Sequence, residues 1–198
     1  MEDTALIDRL RRGDEQAFAA LIATYHMGMI RVAQAFVPER GLAEEVVQET
    51  WLGLLRGLDR FEGRASLKTW LYAILINQAR TMAKRERRTI PFDHTSDGRA
   101  EDPARFAADG SWAQPPVPFT EDVEDRLAHA PMLAQLGAAL EKLPAPQRIV
   151  VTLRDIEELT SQEVCGILEI SAGNQRVLLH RGRAGLRRII EALIEGGK

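Results

Sequence analysis

An acidic, proline-containing segment at residues 91–130 divides the chain into two parts that carry helical patterns. It contains five of the nine prolines in the 198-residue sequence. Three basic and nine acidic residues give it a net charge of −6, and its apolar residues lack helical spacing before about Val123. Because proline interrupts regular structure and excess charge opposes collapse, this segment cannot supply a core. We therefore predict an all-α protein with two small helical domains, at residues 1–90 and 131–198, joined by a long acidic linker.

Residues 1–90 carry the start and stop signals of several helices. Gly13 and Asp14 predict a helix end followed by an N-cap, and the next helix is expected over about residues 15–36. Ser66 is predicted to cap a later helix after a loop. In the two later helices, apolar residues recur every three or four positions, which places each set on one buried face: Val47, Trp51, Leu54, Leu55 and Leu58, and then Leu67, Leu71, Ile74 and Leu75.

Residues 131–198 are predicted to form four helices, the first over 132–143 and the second over about 147–157. The pattern Thr160-x-x-Glu163 is a capping box at the start of the third, short helix. Ser171 can cap a final helix that reaches about Ile194. A short helix, a tight turn and a longer basic helix are the components of a helix-turn-helix motif.

The final helix carries a basic stripe and no acidic residue between positions 172 and 190. A helix of this kind fits the major groove of DNA, where side chains near its start reach base edges and later arginines suit phosphates. A solvated basic face is the alternative interpretation. The stripe consists of Arg176, His180, Arg183 and Arg187, which are four, three and four residues apart. Arg181 and Arg188 lie beside it.

A second polar stripe lies on the helix predicted after Ser66, opposite its apolar face. Its members are Asn77, Arg80, Lys84 and Arg87, and the preceding loop and first turn supply Phe61, Arg64 and Lys68. A basic helix face beside an aromatic loop can hold a single nucleic-acid strand and a base that has left its stack. The spacing alone favours the alternative interpretation, an amphipathic helix with an ordinary solvent-exposed face.

A third group, on the helix around residues 43–55, mixes acid, amide and aromatic side chains: Glu45, Gln48, Glu49 and Trp51. Paired carboxylates can bind metal or act as acid and base, but no Glu-x-x-His pattern accompanies them. A protein-binding surface or a solvated face fits these residues better. The single cysteine excludes an internal disulfide, and no glycine-rich phosphate loop or nucleophile motif occurs, so we expect neither enzyme activity nor a cofactor. The charged N-terminus and the absence of a long apolar run predict a cytoplasmic protein without membrane insertion.

Two long stretches resemble the two conserved domains of bacterial extracytoplasmic-function (ECF) sigma factors of the sigma-70 family. VQETWLGLLRGLDRF followed by ASLKTWLYAILINQAR resembles the first domain, region 2. The stretch from LPAPQRIVVTLRDIEELTSQEV through LLHRGRAGLRR resembles the second, region 4. The resemblance implies a dissociable RNA polymerase subunit that directs promoter-specific initiation, with core polymerase, promoter DNA and an anti-sigma factor as partners.

The resemblance also implies roles for residues. The helix at 43–58 would bind the polymerase through Glu45, Gln48, Glu49 and Trp51. The loop from Phe61 to Leu67, with Arg64, Lys68 and Asn77, would capture the minus-ten non-template strand. Phosphates upstream would be held by Arg80, Lys84, Arg87 and Arg88. The minus-thirty-five duplex would be read by Arg176, Val177, His180 and Arg181, with Arg183 and Arg187 along the same helix.

Two departures from the family pattern bear on sequence specificity. Val177 and Leu178 are apolar where the family often carries a small polar and a basic residue. Valine can contact a thymine methyl group but cannot donate a hydrogen bond, so the promoter sequence does not follow from the resemblance. A linker that follows the RNA exit path of the polymerase and a plain flexible tether both fit the acidic segment. A free-standing helix-turn-helix regulator is the alternative function, although the sequence offers no evident dimerisation helix.

Overall fold

The computed structural model describes residues 2–86, 90, 92 and 137–195. Four helices form the N-terminal domain: α1 (Glu2–Arg11), α2 (Glu15–Phe36), α3 (Arg40–Gly57) and α4 (Leu67–Arg85). The C-terminal domain contains α5 (Ala145–Val151), α6 (Ser161–Leu168) and α7 (Ala172–Glu195). A 3-10 turn at Leu58–Arg60 follows α3, and residues 137–141 are helical. None of the described residues lies in a β-strand. The prediction of an all-α fold is confirmed, whereas the predicted linker, apart from Phe92, lies outside the described residues.

Side-chain caps set the helix starts that the sequence predicts. The Asp14 carboxylate accepts from the Ala17 amide at 3.0 Å, and Gly13 ends the preceding turn with φ of +75°. The Ser66 hydroxyl accepts from the Thr69 amide at 3.0 Å. Each cap satisfies an amide that the first helical turn would otherwise leave unpaired. The predicted extent of α2 agrees with the structure at both ends.

The helix-turn-helix motif is also built from local caps. The Thr160 hydroxyl accepts from the Glu163 amide at 3.3 Å, and the Thr160 amide donates to the Glu163 carboxylate at 2.7 Å, which completes the capping box. Glu169 ends α6 in the left-handed region with φ of +58°, and this conformation reverses the chain within a few residues. Ser171 then accepts from the Asn174 amide at 3.1 Å at the start of α7.

The helix predicted over 147–157 differs from the expectation in its second half. After α5, residues Thr152–Ile156 form a π-helical segment, in which the Glu157 amide donates to the Thr152 carbonyl at 2.8 Å. A π-helical turn accommodates one extra residue and occurs only in short stretches. Leu153 in this segment is buried, and Glu157 directly after it faces the N-terminal domain.

The buried face of α3 is narrower than its apolar spacing predicts. Val47 and Leu54 are fully buried against neighbouring helices, and Trp51 packs edge-on against Phe18. Leu55 is 46% exposed, so the prediction that it lies on the buried face is wrong. Residues three or four apart share a side of a helix, but an arc as wide as this one extends beyond the contact with α2 and α4.

The two domains pack against each other, and their buried apolar residues form one contiguous cluster. Helix α2 lies against α5, and α4 lies against α6. The Arg148 guanidinium on α5 donates to the Gln34 and Ala35 carbonyls near the end of α2, at 3.3 and 3.4 Å. These contacts fix how the helix-turn-helix sits on the N-terminal domain.

Gly28, in the middle of α2, allows the closest approach between the domains. Glycine at such a position costs about 1 kcal/mol of helix stability relative to alanine. A Cβ atom there would lie 2.5 Å from a Glu157 carboxylate oxygen and 2.7 Å from the Tyr72 hydroxyl. The glycine therefore leaves space that these two side chains occupy.

Glu163 links its own helix cap to the N-terminal domain. Its carboxylate accepts from the Thr69 hydroxyl at 2.5 Å as well as from Thr160. Partial burial raises the pKa of Glu163, but the hydrogen bonds from Thr69 and Thr160 outweigh this effect and hold the pKa below its usual value of 4.5. The ionised carboxylate is thus the form that the folded chain stabilises.

We expect Leu54→Ala to lower the free energy of unfolding by about 2–5 kcal/mol, because Leu54 is fully buried and its loss leaves a cavity. Leu55→Ala, on the next residue of the same helix, is the matched control and should change it by less than about 1 kcal/mol. Urea denaturation followed by circular dichroism measures both. Equal losses would contradict the arrangement of α3.

We expect the stabilising contribution of Glu163 to depend on pH. Because its folded pKa is depressed, this contribution is complete above the unfolded pKa, near 4.5, and is lost as the pH falls through the lower folded pKa. The difference in unfolding free energy between the chain and Glu163→Gln should therefore shrink on acidification. Glu158→Gln, at an exposed position, is the control. A difference that stays constant down the acid range would disprove the assignment.

Candidate nucleic-acid interface

The outer face of α3 mixes acidic, amide and apolar side chains. Glu45 and Gln48 are exposed and Glu49 is half-buried. Leu52, at 43%, and Leu55, at 46%, are among the few large apolar side chains that the described structure leaves exposed. Exposed leucines beside polar residues are typical of a protein-binding surface.

Trp51 does not belong to that face. It is 7% exposed and its ring lies against Phe18 in the core, 5.7 Å between centroids. The prediction that Trp51 lies on the polymerase-binding surface is therefore corrected: its position on α3 points it inward, where it supports the helix from behind.

A groove of about 250 Å³ separates the exposed sides of α3 and α4. Glu45 and Glu49 of α3 line one wall, and Met82 and Arg85 of α4 line the other. The two walls therefore carry opposite charges.

The loop after α3 is held at its start by a residue that the sequence analysis missed. The Arg11 guanidinium, on α1, donates to the Phe61 carbonyl at 2.8 Å and to the Leu58 carbonyl at 3.1 Å. The Phe61 ring packs on Trp70 with centroids 4.7 Å apart. No local pattern marks Arg11, because the contact joins positions 47 and 50 residues apart.

The remaining loop and α4 residues differ in exposure and in position along α4. Arg64 is 87% exposed and pairs with Glu62 at 3.0 Å, and Lys68 is half-buried in the first turn of α4. Asn77 is exposed, roughly 15 Å further along the helix axis than Leu67. The loop and Asn77 thus face solvent, at different heights on α4.

Arg80 and Lys84 lie at the junction with the C-terminal domain. The half-buried Arg80 guanidinium donates to the Leu168 carbonyl at 2.6 Å, at the end of α6, where helix carbonyls attract cations. Lys84 is exposed and borders a groove of about 280 Å³ lined also by Phe36, Phe92 and Glu169. The predicted phosphate ligands Arg87 and Arg88 lie outside the described residues.

The predicted DNA-reading residues share α7 but differ in environment. Arg176 is exposed, whereas Val177, His180 and Arg181 are half-buried. They occupy the first half of the helix, which is the part that reaches base edges in helix-turn-helix proteins. Leu178, by contrast, is buried and belongs to the core.

Arg183 has a partner within its own domain. Its guanidinium donates to both oxygens of Asp155, at 2.6 and 2.8 Å, and these bonds raise the pKa of Arg183. The pair ties α7 to the π-helical segment. Arg187, one turn further on, pairs with Glu191 at 2.7 Å on the exposed side of α7.

Two polar residues at the start of α7 are buried, which the sequence analysis did not predict. Asn174 is 7% exposed and its amide donates to the Phe92 carbonyl. Gln175 is 1% exposed and accepts from the Ser161 hydroxyl at 2.9 Å. In both cases the partner belongs to another segment, so helical periodicity alone could not identify them.

Among the described residues, no three His, Cys, Asp or Glu side chains are grouped so that they could hold a metal ion. None of the described helices has the length and apolar character needed to cross a membrane. The candidate nucleic-acid interface therefore consists of basic and polar side chains on α4 and α7. The outer face of α3, with its polar and apolar side chains, is the candidate protein-binding surface.

Comparison with known proteins gives separate matches for the N-terminal and the C-terminal domain. The sequence profile described as Sigma-70 region 2 matches residues 21–89, and that of Sigma-70, region 4 matches residues 133–186. The chain is 27% identical to the ECF RNA polymerase sigma-E factor of Escherichia coli K12 over 194 residues, which cover 98% of this chain and 97% of that protein. It is 29% identical to the RNA polymerase sigma-H factor of Pseudomonas aeruginosa over 193 residues, or 98% and 96% of the two chains.

Solved structures share the fold. CnrH, in complex with the cytosolic domain of CnrY, aligns with a TM-score of 0.58 and 22% identity over 96% of this chain and 97% of its own. The sigma factor RpoE of Bartonella quintana, in complex with the anti-sigma factor NepR, aligns with a TM-score of 0.58 and 20% identity, covering 88% and 96%. With both conserved regions present in order and relatives aligned over almost their whole length, the chain belongs to the ECF group of the sigma-70 family, the sigma factors that act in transcription initiation.

Proposed function

We propose that this sigma factor binds core RNA polymerase and directs it to promoters by reading two DNA elements. The minus-thirty-five element is read as a duplex by the C-terminal domain, and the minus-ten element as a non-template single strand by the N-terminal domain. The observation that carries the proposal is the presence, in one chain, of a capped helix-turn-helix with Arg176 exposed near the start of α7 and a basic α4 beside an aromatic loop. Catalysis belongs to the polymerase, and the sigma factor contributes binding and specificity.

The polymerase-binding surface is the outer face of α3. Glu45, Gln48 and Glu49 supply charge and hydrogen-bonding groups, and Leu52 and Leu55 supply apolar area. An interface gains most of its energy from a few well-packed apolar contacts surrounded by polar ones. The two exposed leucines suit this central role, and the carboxylates favour a partner with basic groups around its contact.

The minus-ten strand lies along the loop after Phe61 and the polar side of α4. The loop start is held in place before DNA arrives, because Arg11 fixes the Phe61 and Leu58 carbonyls. Arg64 and Lys68 provide positive charge at one end, and Asn77 offers an amide to a base that has left the stack. Phosphates further along the same DNA strand are contacted by Arg80, Lys84, Arg87 and Arg88.

The minus-thirty-five duplex receives the first half of α7 in its major groove. Arg176 and Arg181 can donate to base edges or phosphates, His180 can donate to either, and Val177 can contact a thymine methyl group. Arg187 reaches phosphates from the following turn. Arg183 supports this arrangement as a positioning residue through its pair with Asp155.

Partners other than DNA follow from the same surfaces. The RpoE structure from Bartonella quintana was solved in complex with an anti-sigma factor. We propose that this chain is likewise held inactive by an anti-sigma factor, in the cytoplasm, where the polymerase is.

Each DNA contact alone is weak and salt-dependent, and the polymerase makes the second contact intramolecular by holding both domains.

We expect tight one-to-one binding to bacterial core RNA polymerase without DNA, and about tenfold weaker binding for Leu52→Ala/Leu55→Ala, since burial of these leucines is lost. Met27→Ala removes a side chain that is 60% exposed elsewhere and is the control. Fluorescence titration of labelled sigma factor measures all three affinities. A folded chain that fails to bind its own core polymerase would instead favour a free-standing helix-turn-helix regulator.

We expect Arg176→Ala to lower promoter-directed transcription about tenfold, equivalent to ~1.4 kcal/mol of discrimination, and to leave core polymerase binding intact. Arg12→Ala, at an exposed arginine outside both DNA surfaces, is the control. Run-off transcription and core titration are measured on the same preparations. Equal loss of both readouts would refute the recognition role of α7.

A further inference from the structure

The first turn of α7 contains an amide side chain that is buried and, within the described structure, only half satisfied. Asn174, the third residue of the helix, is 7% exposed. Its amide nitrogen donates to the Phe92 carbonyl. Its amide oxygen is buried and has no hydrogen-bond partner among the residues that the structure describes. A buried acceptor without a partner costs free energy, and native proteins contain few of them.

The chemistry of the partner fixes the orientation of the Asn174 amide. A carbonyl oxygen only accepts hydrogen bonds, so the NH₂ group must face Phe92 and the amide oxygen must point away from that carbonyl. The backbone amide of Asn174 is already used, because it donates to the Ser171 hydroxyl at 3.1 Å as part of the helix cap. The side chain therefore presents a donor and an acceptor side by side, and among the described residues only the donor has a partner.

A donor and an acceptor in this arrangement match one base edge in the major groove of DNA. Adenine presents there its N7 atom, which accepts, and its N6 amino group, which donates. Asparagine pairs with both at once, because its NH₂ group donates to N7 and its oxygen accepts from N6. The Phe92 carbonyl thus serves as an acceptor where N7 would do so, and no described residue supplies the donor that N6 would provide.

The position of Asn174 on α7 suits this contact. It lies in the first turn of the second helix of the helix-turn-helix, which is the part that reaches base edges in such proteins. Val177 and Arg181 follow it by three and seven residues, so they lie on the same side of the helix. Three residues of helix rise roughly 4.5 Å, or one to two base-pair steps of about 3.4 Å each. Asn174 and Val177 can therefore meet neighbouring base pairs.

The cover over Asn174 comes from outside the C-terminal domain. Phe92 belongs to the segment between the domains, and its ring centroid lies 6.5 Å from that of Phe36 on α2. Phe92 is itself half-buried and borders the groove of about 280 Å³ beside Lys84. Gln175, the other buried amide of this turn, differs, because its partner Ser161 belongs to the same domain. Departure of Phe92 therefore releases Asn174 and leaves Gln175 bound.

We propose that Asn174 is a specificity-determining residue that reads an adenine in the minus-thirty-five element. The adenine takes the place of Phe92: its N7 atom replaces the carbonyl as the acceptor, and its N6 amino group donates to the Asn174 oxygen. Two hydrogen bonds then replace one. The inference rests on the function proposed above, because it takes α7 to enter the minus-thirty-five duplex.

Promoter selection by the complete holoenzyme tests this assignment. Core polymerase carrying the parent chain or Asn174→Ala selects promoters from a library randomised over both elements, and the transcripts are sequenced. We expect the parent chain to prefer adenine about tenfold at one position of the minus-thirty-five element, and Asn174→Ala to lose this preference. Arg176→Ala is the matched control, since it should lower transcription but keep the adenine preference at that position.

Base analogues in the selected promoter test the two hydrogen bonds without altering the protein. 7-Deazaadenine removes the N7 acceptor, and purine removes the N6 amino group. Each analogue should lower run-off transcription about fivefold more with the parent chain than with Asn174→Ala. The comparison with the variant corrects for effects of the analogue on the duplex itself.

An adenine preference that survives Asn174→Ala, or analogues that affect both chains equally, overturns the assignment. If Asn174→Ala does not fold, Asn174→Ser replaces it with the same outcomes, because serine is too short to pair with both atoms. A parent chain that is insensitive to both analogues overturns the assignment whatever the variants do.

The core polymerase titration keeps this assignment apart from the proposed function. Retained core binding and promoter selection without the adenine contact removes the role of Asn174 alone. Failure of the parent chain to bind core polymerase removes the sigma function, and the role of Asn174 with it.

Discussion

A carboxylate removed from water must find donors, and the relation between the two domains depends on where Glu157 finds them. Tyr72 and Arg31 come from two different helices of the N-terminal domain, so the C-terminal domain can satisfy Glu157 in only one orientation. Gly28 supplies the space that this orientation needs. Further cross-domain hydrogen bonds come from Thr69 and Arg80 on α4, on either side of Tyr72, and from Arg148 on α5 to the end of α2.

The helical framework is the part of the structure that the sequence predicts best, and the reason is local. A cap needs one short polar side chain and an amide three residues later, as Asp14, Ser66 and Thr160 illustrate. The same locality explains why the helix-turn-helix could be placed from Thr160, Ser171 and the basic stripe that follows. The position of the basic residues on α4 and α7 follows from helical spacing in the same way.

Contacts between distant segments could not be predicted. Glu157 and Tyr72 are 85 residues apart, and a glutamate beside another glutamate resembles a solvated surface position. Arg11 looks like any exposed arginine until the loop carbonyls are placed beside it. On α3, spacing placed Trp51 and Leu55 on the same buried face, and the family resemblance placed Trp51 on a binding surface; Trp51 is buried and Leu55 is exposed. Periodicity identifies a helix, but the neighbouring helices decide how wide its buried arc is.

The π-helical segment at Thr152–Ile156 restricts how the length of this part of the chain can change in evolution. One residue added to or lost from a helix turns everything beyond it by about 100° around the axis. Here such a change would carry Asp155 away from Arg183 and Glu157 away from Tyr72 at once, since both pairs depend on the same short stretch. Insertions and deletions should therefore be rare between α5 and α6 among close descendants of this gene, even where the amino acids themselves vary.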